Sequence, residues 1–539
     1  MKSYTIKKLY KLHAWVGVIT GILLFIIAFS GAVAVFARPE LKIWANNDIR
    51  GEVPINPAAY QQLIDTYAKQ VGDEYLEEIH VQFPGARSTE YARVIFEGHF
   101  EQPDGKEHHQ GIVYQFHPTT LEEVSKTDMD TFFANPPLDM ASFLAHFHAD
   151  LHLGRPVGLI LTGLLGLTLM VSIATGLIVH RKILAQLFTF RPTKSFSLML
   201  NDGHKAMSVW GVMFHSVIAF TGAFLGLATV VMIPAAAWVS FNGDQEKLIE
   251  TFTTMKPPVM SQIEGPSKLA DIMETSRLQF PELTMTHMSI FGYGDKNNLV
   301  YMNGLGDSEM GSKSMLYKGE DGSFVKAEAT FGRLEGITGK LLDVLFPLHF
   351  GNFGGILVKC LWAILGLSTA LLPISGMMLW IERGLQAKNP SFSPATYHGL
   401  QRLLVGSCMG IVLATAFLFP SQLALNYWMA GADHTSAIFW LFFGSWGAAL
   451  LFSLATKPVI SFQVTAWITA GLLIVTMPLD ALLNNSHLFN LHETGHLVSN
   501  LVDLTLFMLG LLIVWSVNKL DQRQATTTDI PHDSLAAME

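Results

Sequence analysis

The chain alternates long apolar runs with polar segments, and its apolar runs have the length of membrane-spanning helices. A helix that crosses the hydrocarbon core of a bilayer needs roughly 20 apolar residues. Two long polar segments, about 38–145 and 238–345, interrupt the series after its first and third runs. The pattern predicts eight spans, at about 13–36, 154–179, 207–235, 354–380, 402–420, 434–455, 460–480 and 499–518.

Each polar segment has one helical pattern followed by strand-like runs. The first contains NPAAYQQLIDTYAKQVG and then YLEEIHVQF, YARVIFEGHF and GIVYQFHP. The second contains SKLADIMETSRLQFPE and then TMTHMSIFGYG, NNLVYMNGL and SKSMLYKG. Apolar residues at helical spacing, followed by runs of alternating apolar and polar residues that are separated by turn residues, are typical of a small α+β module. The predicted fold class is a membrane all-α helical bundle of about eight transmembrane helices with two small extracytoplasmic α+β modules.

The composition agrees with a polytopic membrane protein. Half of the 539 residues are apolar, 15% are charged and the mean hydropathy is +0.34, whereas charged residues make up roughly a quarter of a soluble protein. The net charge of −9 argues against a nucleic-acid partner. Cys360 and Cys408 both lie in apolar runs, so no disulfide framework is implied. The expected environment is the lipid bilayer.

Lysine and arginine are concentrated in alternate loops, which sets the orientation. They lie before span 1, between spans 2 and 3, 4 and 5, and 6 and 7, and after span 8. The positive-inside rule then predicts two cytoplasmic termini and two modules on the opposite side, the periplasm if this is a bacterial inner-membrane protein. The first apolar run has full spanning length, so it is expected to remain as a span rather than be cleaved as a signal peptide.

These boundaries divide the chain into seven parts. They are a first span at 1–37, a first module at 38–145, spans 2 and 3 at 146–237, a second module at 238–345, span 4 at 346–385, spans 5 to 8 at 386–520 and a cytoplasmic tail at 521–539.

The first 380 residues contain an internal repeat of one unit. HAWVGVITGILLFIIAFSGA, from His13, aligns without a gap on HKAMSVWGVMFHSVIAFTGA, from His204, at a shift of 191. LHLGRPVG aligns on LHFGNFGG at a shift of 197, which places His152 on His349. ATGLIVHRK and ISGMMLWIER align at a shift of 200. The last four spans show no such pairing and are expected to brace the core.

The repeat places four histidines at equivalent ends of four spans. His13 and His204 fall near the cytoplasmic face, and His152 and His349 near the opposite one. A single boundary histidine can equally well bond to lipid headgroups. Two neutral imidazoles on facing helices, however, are the usual axial pair of haem b. We therefore predict two haems b, bound by His13 with His204 and by His152 with His349; covalent attachment is excluded because no C-x-x-C-H is present.

Four further histidines compete for these roles. On a continuous helix His215 lies about 16 Å beyond His204 and near the same face, so it is an alternative ligand. His180 ends span 2, either as a ligand or as boundary charge. His148 shares a helical face with His152, and with His146 this pair is a second candidate metal site, for Zn or Cu.

Two other features allow more than one interpretation. His108, His109 and His117 fall in a polar strand or loop and are expected to be solvated. Small residues recur in the spans. They indicate close helix packing, and next to a porphyrin they also leave room for its plane. The pairs are Ser30–Gly31, Thr175–Gly176, Thr221–Gly222 and Ser375–Gly376.

The repeated motifs resemble the PepSY-associated transmembrane family over about residues 1–385. The motifs are KLHAWVGVITGILLFIIAFSGA, LHLGRPVG…ATGLIVHRK, DGHKAMSVWGVMFHSVIAFTGA and LHFGNFGG…ISGMMLW. The resemblance implies that the polar segments are PepSY modules and that His13, His152, His204 and His349 match the family's recurring histidines. It also implies a relation to inner-membrane iron-uptake proteins of the FoxB and PiuB type, regarded as haem-containing ferric-siderophore reductases. Spans 5 to 8 depart from the simpler, four-span members.

Three functions follow as alternatives. The first is a ferric (siderophore) reductase that moves electrons from the cytoplasmic side or the quinol pool to a periplasmic acceptor, most simply ferric iron in a siderophore. Because no G-x-G-x-x-G follows a strand, the chain is expected to lack its own NAD or flavin site and to take electrons from quinol or a separate reductase. The second is a permease for iron or a siderophore, with histidines relaying protons. The third is a non-enzymatic scaffold that binds a periplasmic partner.

Overall fold

A computed structural model describes most of the chain. The described residues are 3–46, 53–85, 90–101, 107–134, 136–180, 188–191, 195–245, 247–248, 256–306, 312–329, 337–484 and 494–528. The helices are α1 (Ser3–Ala34), α2 (Lys42–Ala45), α3 (Pro57–Ala68), α4 (Met129–Ala134), α5 (Met140–Asp150), α6 (Val157–Val179), α7 (Phe196–Trp210), α8 (Val212–Leu227), α9 (Ile233–Phe241), α10 (Leu269–Gln279), α11 (Ile337–Phe350), α12 (Gly355–Gln386), α13 (Pro394–Trp428), α14 (Thr435–Ala455), α15 (Pro458–Asn484) and α16 (Thr494–Thr528).

The strands are β1 (Glu78–Gln82), β2 (Ala92–Glu101), β3 (Glu107–Phe116), β4 (Glu123–Asp128), β5 (Leu283–Phe291), β6 (Leu299–Gly306), β7 (Ser312–Lys318) and β8 (Phe324–Ala329). Short π-helical turns at Ala37–Leu41 and Ala228–Met232 follow α1 and α8, and a 3₁₀ turn lies at Asp73–Tyr75.

The described part of the chain contains eight helices, or runs of helices, that are long and apolar enough to cross a membrane, as predicted. They are α1, α6, α8 with α9, α12, α13, α14, α15 and α16. The fold class, a helical membrane bundle with an α+β part, is thereby confirmed. The third span begins later than the repeat suggested, because α7 ends at Trp210 and Gly211 separates it from α8.

The two polar segments form one sheet instead of two separate modules. Each supplies four antiparallel strands, and the strand order is β4-β3-β2-β1-β5-β6-β7-β8. The two halves meet where β1 pairs antiparallel with β5, with Ile79 opposite Ile290 and Val81 opposite Met288. Side chains alternate between the two faces of β1: Ile79 and Val81 are fully buried on one face, while Glu78, His80 and Gln82 point to the other.

One hydrophobic core serves both halves of the sheet domain. Ile64 of α3 and Ile272 of α10 are fully buried on the same face of the sheet. The side chain of Gln61 on α3 accepts hydrogen bonds from the backbone amides of Leu269 and Ala270, at 2.7 and 3.2 Å. These amides belong to the first turn of α10 and lack helical acceptors, so one half of the domain caps a helix of the other.

A buried ion pair joins the sheet domain to α5. The Lys42 ammonium lies 2.5 Å from Asp139 and 3.2 Å from Glu90, which precedes β2. Asp139 is also the N-cap of α5, because its carboxylate accepts the Ser142 amide at 2.7 Å. Burial alone would raise the pKa of the Asp139 carboxyl, but the Lys42 charge and these hydrogen bonds outweigh it and lower the pKa to about 2.

The last four helices hold the same region from the other side. The Thr435 hydroxyl and the Gln422 amide oxygen accept the backbone amides of Leu138 and Met140, at 2.7 and 3.0 Å. Phe143 of α5 packs edge-to-face on Phe442 of α14, with ring centres 5.2 Å apart. Helices α13 and α14 therefore fix the start of α5.

Replacing Lys42 by Met should destabilise the protein strongly, because it leaves the buried Asp139 carboxylate and the half-buried Glu90 carboxylate without their cation. Breaking a buried pair from one side costs about 3–5 kcal/mol. We expect a lower thermal midpoint in detergent for Lys42→Met, whereas the exposed Lys69→Met should match the wild type. The paired Asp139 stabilises the fold above its ordinary pKa of 3.8 and loses this contribution as the pH falls towards about 2. Equal midpoints for Lys42→Met and wild type at pH 7 would contradict this role of the pair.

Candidate functional site

The first pair of imidazoles lies at the end of the bundle away from the sheet. The rings of His13 on α1 and His204 on α7 have centres 6.2 Å apart and planes inclined at 76°. Two imidazoles that share one metal ion through bonds of about 2 Å lie with ring centres about 6 Å apart. The spacing of His13 and His204 therefore suits a metal held between them.

Both rings are held through their Nδ1 atoms by the neighbouring helix. Nδ1 of His13 lies 3.1 Å from the Ser172 carbonyl on α6, and Nδ1 of His204 lies 3.1 Å from the Leu372 carbonyl on α12. A carbonyl oxygen only accepts, so each Nδ1 carries the proton and Nε2 keeps a lone pair. The hydroxyls of Thr175 and Ser375 add contacts to the same Nδ1 atoms at 3.2 and 3.0 Å.

A second pair lies at the end nearer the sheet. His148 on α5 and His349 on α11 have ring centres 6.0 Å apart and planes inclined at 25°. Nδ1 of His148 donates to the Ile27 carbonyl at 3.0 Å and lies 3.3 Å from the Ser30 hydroxyl. Nδ1 of His349 lies 2.9 Å from the Thr221 hydroxyl, which donates its own proton to a carbonyl at 2.7 Å and so accepts from the imidazole.

Each of the four imidazoles therefore sits against a Ser/Thr–Gly pair of a facing helix. A Cβ added to Gly31 would lie 2.7 Å from His148, and one added to Gly222 would lie 3.2 Å from His349. At Gly176 and Gly376 the corresponding distances to His13 and His204 are 3.2 and 3.4 Å. Besides leaving space, these pairs supply the hydroxyl and the bare backbone that fix a ring. The repeated S/T-G signal was visible in the sequence, but its connection to the histidines was not.

The second pair opens into a large apolar cavity. Its volume is about 850 Å³, within the range of roughly 300–1,000 Å³ that bound small molecules occupy. His148 and His349 line it, together with apolar side chains of α1, α6 and α8, and Arg155 contributes a positive charge to the lining. The cavity can therefore take a large flat apolar group whose charged substituent meets a guanidinium.

The structure pairs His349 with His148, not with His152. Helix α5 ends at Asp150, and both Leu151 and His152 have positive φ angles. This turn sends the His152 ring back onto Phe143, with ring centres 4.2 Å apart, and its Nε2 lies 3.0 Å from the Phe143 carbonyl. The repeated L-H-x-G motif predicted the wrong partner because in the first half of the repeat it lies beyond the end of α5, whereas in the second half His349 still belongs to α11.

His215 is the second candidate that the structure places elsewhere. Gly211 separates α7, which carries His204, from α8, which carries His215, and both histidines contact α12. Nδ1 of His215 lies 2.8 Å from the Thr369 hydroxyl, and Nε2 lies 3.1 Å from the Met207 carbonyl. With both nitrogens bonded to protein groups, His215 ties α7 and α8 to α12.

The remaining two candidates lie outside both pairs. His180 is the C-cap residue of α6, and its amide donates to the Gly176 carbonyl at 3.1 Å. His146 is exposed on α5, on the side opposite the apolar core. The expected cluster of His146, His148 and His152 does not form, because His148 points to α1 and His152 folds back onto Phe143.

The two pairs lie at opposite ends of α1. His13 belongs to the first part of α1, and Ile27 and Ser30, which hold His148, lie 14 to 17 residues further along the same helix. At 1.5 Å per residue this is about 21–26 Å along the axis, most of the roughly 30 Å thickness of a hydrocarbon core. The geometry thus places one metal-competent pair towards each side of the bundle.

The fold and the paired imidazoles define a multi-pass membrane protein with a duplicated core. The chain belongs to the family described as the PepSY-associated TM region, whose model matches residues 10–383. It is also similar to a Pseudomonas aeruginosa protein named "Uncharacterized protein PA4219", with 26% identity over 317 residues, 54% of this chain and 76% of that protein.

Proposed function

We propose that this protein is a haem b-containing membrane reductase that carries electrons across the inner membrane to an acceptor on the side of the sheet domain. The observation that carries the proposal is the presence of two imidazole pairs with ring separations of 6.2 and 6.0 Å, each with its Nε2 lone pairs available. When bound, haem b supplies reversible one-electron chemistry.

The residues of the site fit such a group. His13 with His204, and His148 with His349, would each hold one haem. The Nδ1–H···O bonds fix the tautomer and raise the basicity of the ligating nitrogen, as partners behind a metal ligand generally do. Glycines 31, 176, 222 and 376 leave the rings uncrowded. The cavity beside His148 and His349 is lined mainly by apolar side chains, and Arg155 offers a counter-charge for a carboxylate of the cofactor.

The direction of electron flow follows from the orientation of the chain. With both termini in the cytoplasm, His13 and His204 face the donor, for which quinol or a separate reductase is suited. His148 and His349 then face the periplasm and the sheet domain. Ferric iron in a siderophore, as in FoxB- and PiuB-type reductases, is the acceptor class proposed, because oxygen-rich chelators hold Fe(II) far less well than Fe(III).

The haem content of purified variants tests the ligand assignment. Wild type should contain about two haems per chain, and each of His13→Ala, His204→Ala, His148→Ala and His349→Ala should contain about one. His152→Ala is the matched control and should retain both. The quantity is measured from the pyridine haemochrome absorbance relative to protein. A folded, colourless wild type, or loss of haem in His152→Ala but not in His148→Ala, would contradict the assignment.

A single methyl group should perturb the second pair. Gly31→Ala places a Cβ 2.7 Å from the ring of His148, so the ring must shift and the haem content should fall from about two to about one. Gly17→Ala is in the same helix, has open space at this position and should leave the content unchanged. If both variants kept two haems, the glycine would not be needed for ligation.

Proteoliposomes distinguish a reductase from a permease. With dithionite trapped inside and a ferric hydroxamate siderophore outside, wild type should generate external Fe(II), detected by ferrozine, whereas His13→Ala should not exceed the slow rate of empty vesicles. A permease would instead deliver iron to the lumen without this dependence on His13. Equal external Fe(II) from wild type and empty vesicles would reject the reductase.

A further inference from the structure

A closed ring of histidines and glutamates lies on β1, β2 and β3, on the face of the sheet opposite α3 and α10. We call it the imidazole–carboxylate ring; it comprises Glu78 and His80 on β1, Glu97 and His99 on β2, and His109 on β3. The register brings the five together, since Glu78 lies opposite Glu97 and His99 opposite His109. Alternation along each strand directs all five side chains to the same face.

Each member of the imidazole–carboxylate ring contacts the next. Nδ1 of His109 lies 2.5 Å from Oε1 of Glu97, whose Oε2 lies 3.5 Å from Nε2 of His80. The same Nε2 lies 3.3 Å from Oε2 of Glu78, and Oε1 of Glu78 lies 3.5 Å from Nε2 of His99. The His99 and His109 rings close the circuit, with centres 4.2 Å apart.

One imidazole nitrogen of the imidazole–carboxylate ring forms no hydrogen bond. Although Oε1 of Glu78 lies 3.5 Å away, Nε2 of His99 is buried and forms no hydrogen bond with any described residue, which is costly for a polar atom. One ligand atom from each of His99, His109 and Glu97 lies within 4.8 Å of the others, close enough to converge on one ion. The side chains of His99 and His109 are 27% and 29% exposed, so an ion can reach them from solvent.

We propose that His99, His109 and Glu97 bind one divalent transition-metal ion on this face of the sheet domain. Two imidazoles and a carboxylate suit Zn²⁺, Cu²⁺, Ni²⁺ or Fe²⁺ rather than Ca²⁺ or Mg²⁺. His80 supports the site by holding the second oxygen of Glu97, and Ser289 holds His80 in turn, at 3.0 Å from its Nδ1. The site is separate from the imidazole pairs of the bundle and does not depend on their binding haem.

The expectation that His109 is a solvated residue of a polar strand or loop is thereby revised. His109 lies within β3, and the hairpin pairing places it beside His99. His117, at the end of the same strand, gives a natural comparison because its Nδ1 accepts the amides of Thr119 and Thr120, both at 3.3 Å, and is thereby turned into its own loop.

Cobalt titration of the full-length protein tests the proposal. Wild type should bind Co²⁺ with visible d–d absorption, displaceable by Zn²⁺, and His99→Asn/His109→Asn should bind at least tenfold more weakly. His117→Asn should bind like wild type, and His80→Asn should show an intermediate loss. Equal binding by the double variant and wild type, or no binding by wild type, would overturn the proposal.

A second measurement needs no variant and so does not depend on the double variant folding. Zinc K-edge X-ray absorption on wild type loaded with one equivalent of Zn²⁺ should show backscattering from two imidazoles together with an oxygen ligand. A spectrum without imidazole features would overturn the assignment. Neither readout involves the haem iron or reductase activity, so failure here is distinguishable from failure of the proposed function.

Discussion

The core depends on a hydrogen bond made four times: an imidazole Nδ1–H donating to an oxygen of a helix next to it, beside a glycine. A buried imidazole in an apolar bundle is costly unless its polar atoms are satisfied. Here the neighbouring helix satisfies one nitrogen and leaves the other as a lone pair. This arrangement fixes the tautomer, the ring orientation and the spacing within each pair, and everything proposed about the bundle follows from it.

The rest of the molecule keeps the helices that carry these imidazoles in place. His13 and His204 sit on helices that pack into the duplicated core, but His148 and His349 sit on short helices between the sheet and the bundle. Helix α5 is secured at its first turn by Asp139 and by Gln422 of α13. A further link joins Trp44 of α2 to Asp503 of α16, at 2.8 Å. Helices α13 and α16, which lie beyond the duplicated unit, therefore add rigidity near the second pair.

Periodicity and the internal repeat were sufficient to predict the spans, the α+β segments and three of the four paired histidines. They did not predict the partner of His349. The sequence match selected His152, whereas α5 ends at Asp150, two residues after His148, where Leu151 and His152 adopt positive φ angles. The pairing of β1 with β5 could not be predicted either. Each polar segment has the sequence pattern of a complete module, and the pairing of two edge strands leaves no periodic pattern in the sequence. Likewise, Gly211 breaks a helix that the apolar run presents as continuous.

The most direct test of the central claim is electron paramagnetic resonance of the oxidised protein. The ring planes are inclined at 76° for His13 and His204 and at 25° for His148 and His349. The spectrum of a low-spin ferric haem differs between near-perpendicular and near-parallel imidazole ligands. We expect two low-spin signals: a strongly anisotropic one from the pair His13 and His204, and a rhombic one from the pair His148 and His349. The rhombic signal should be lost in His148→Ala and kept in His152→Ala. A single signal, or two signals that both survive the removal of His148, would contradict it.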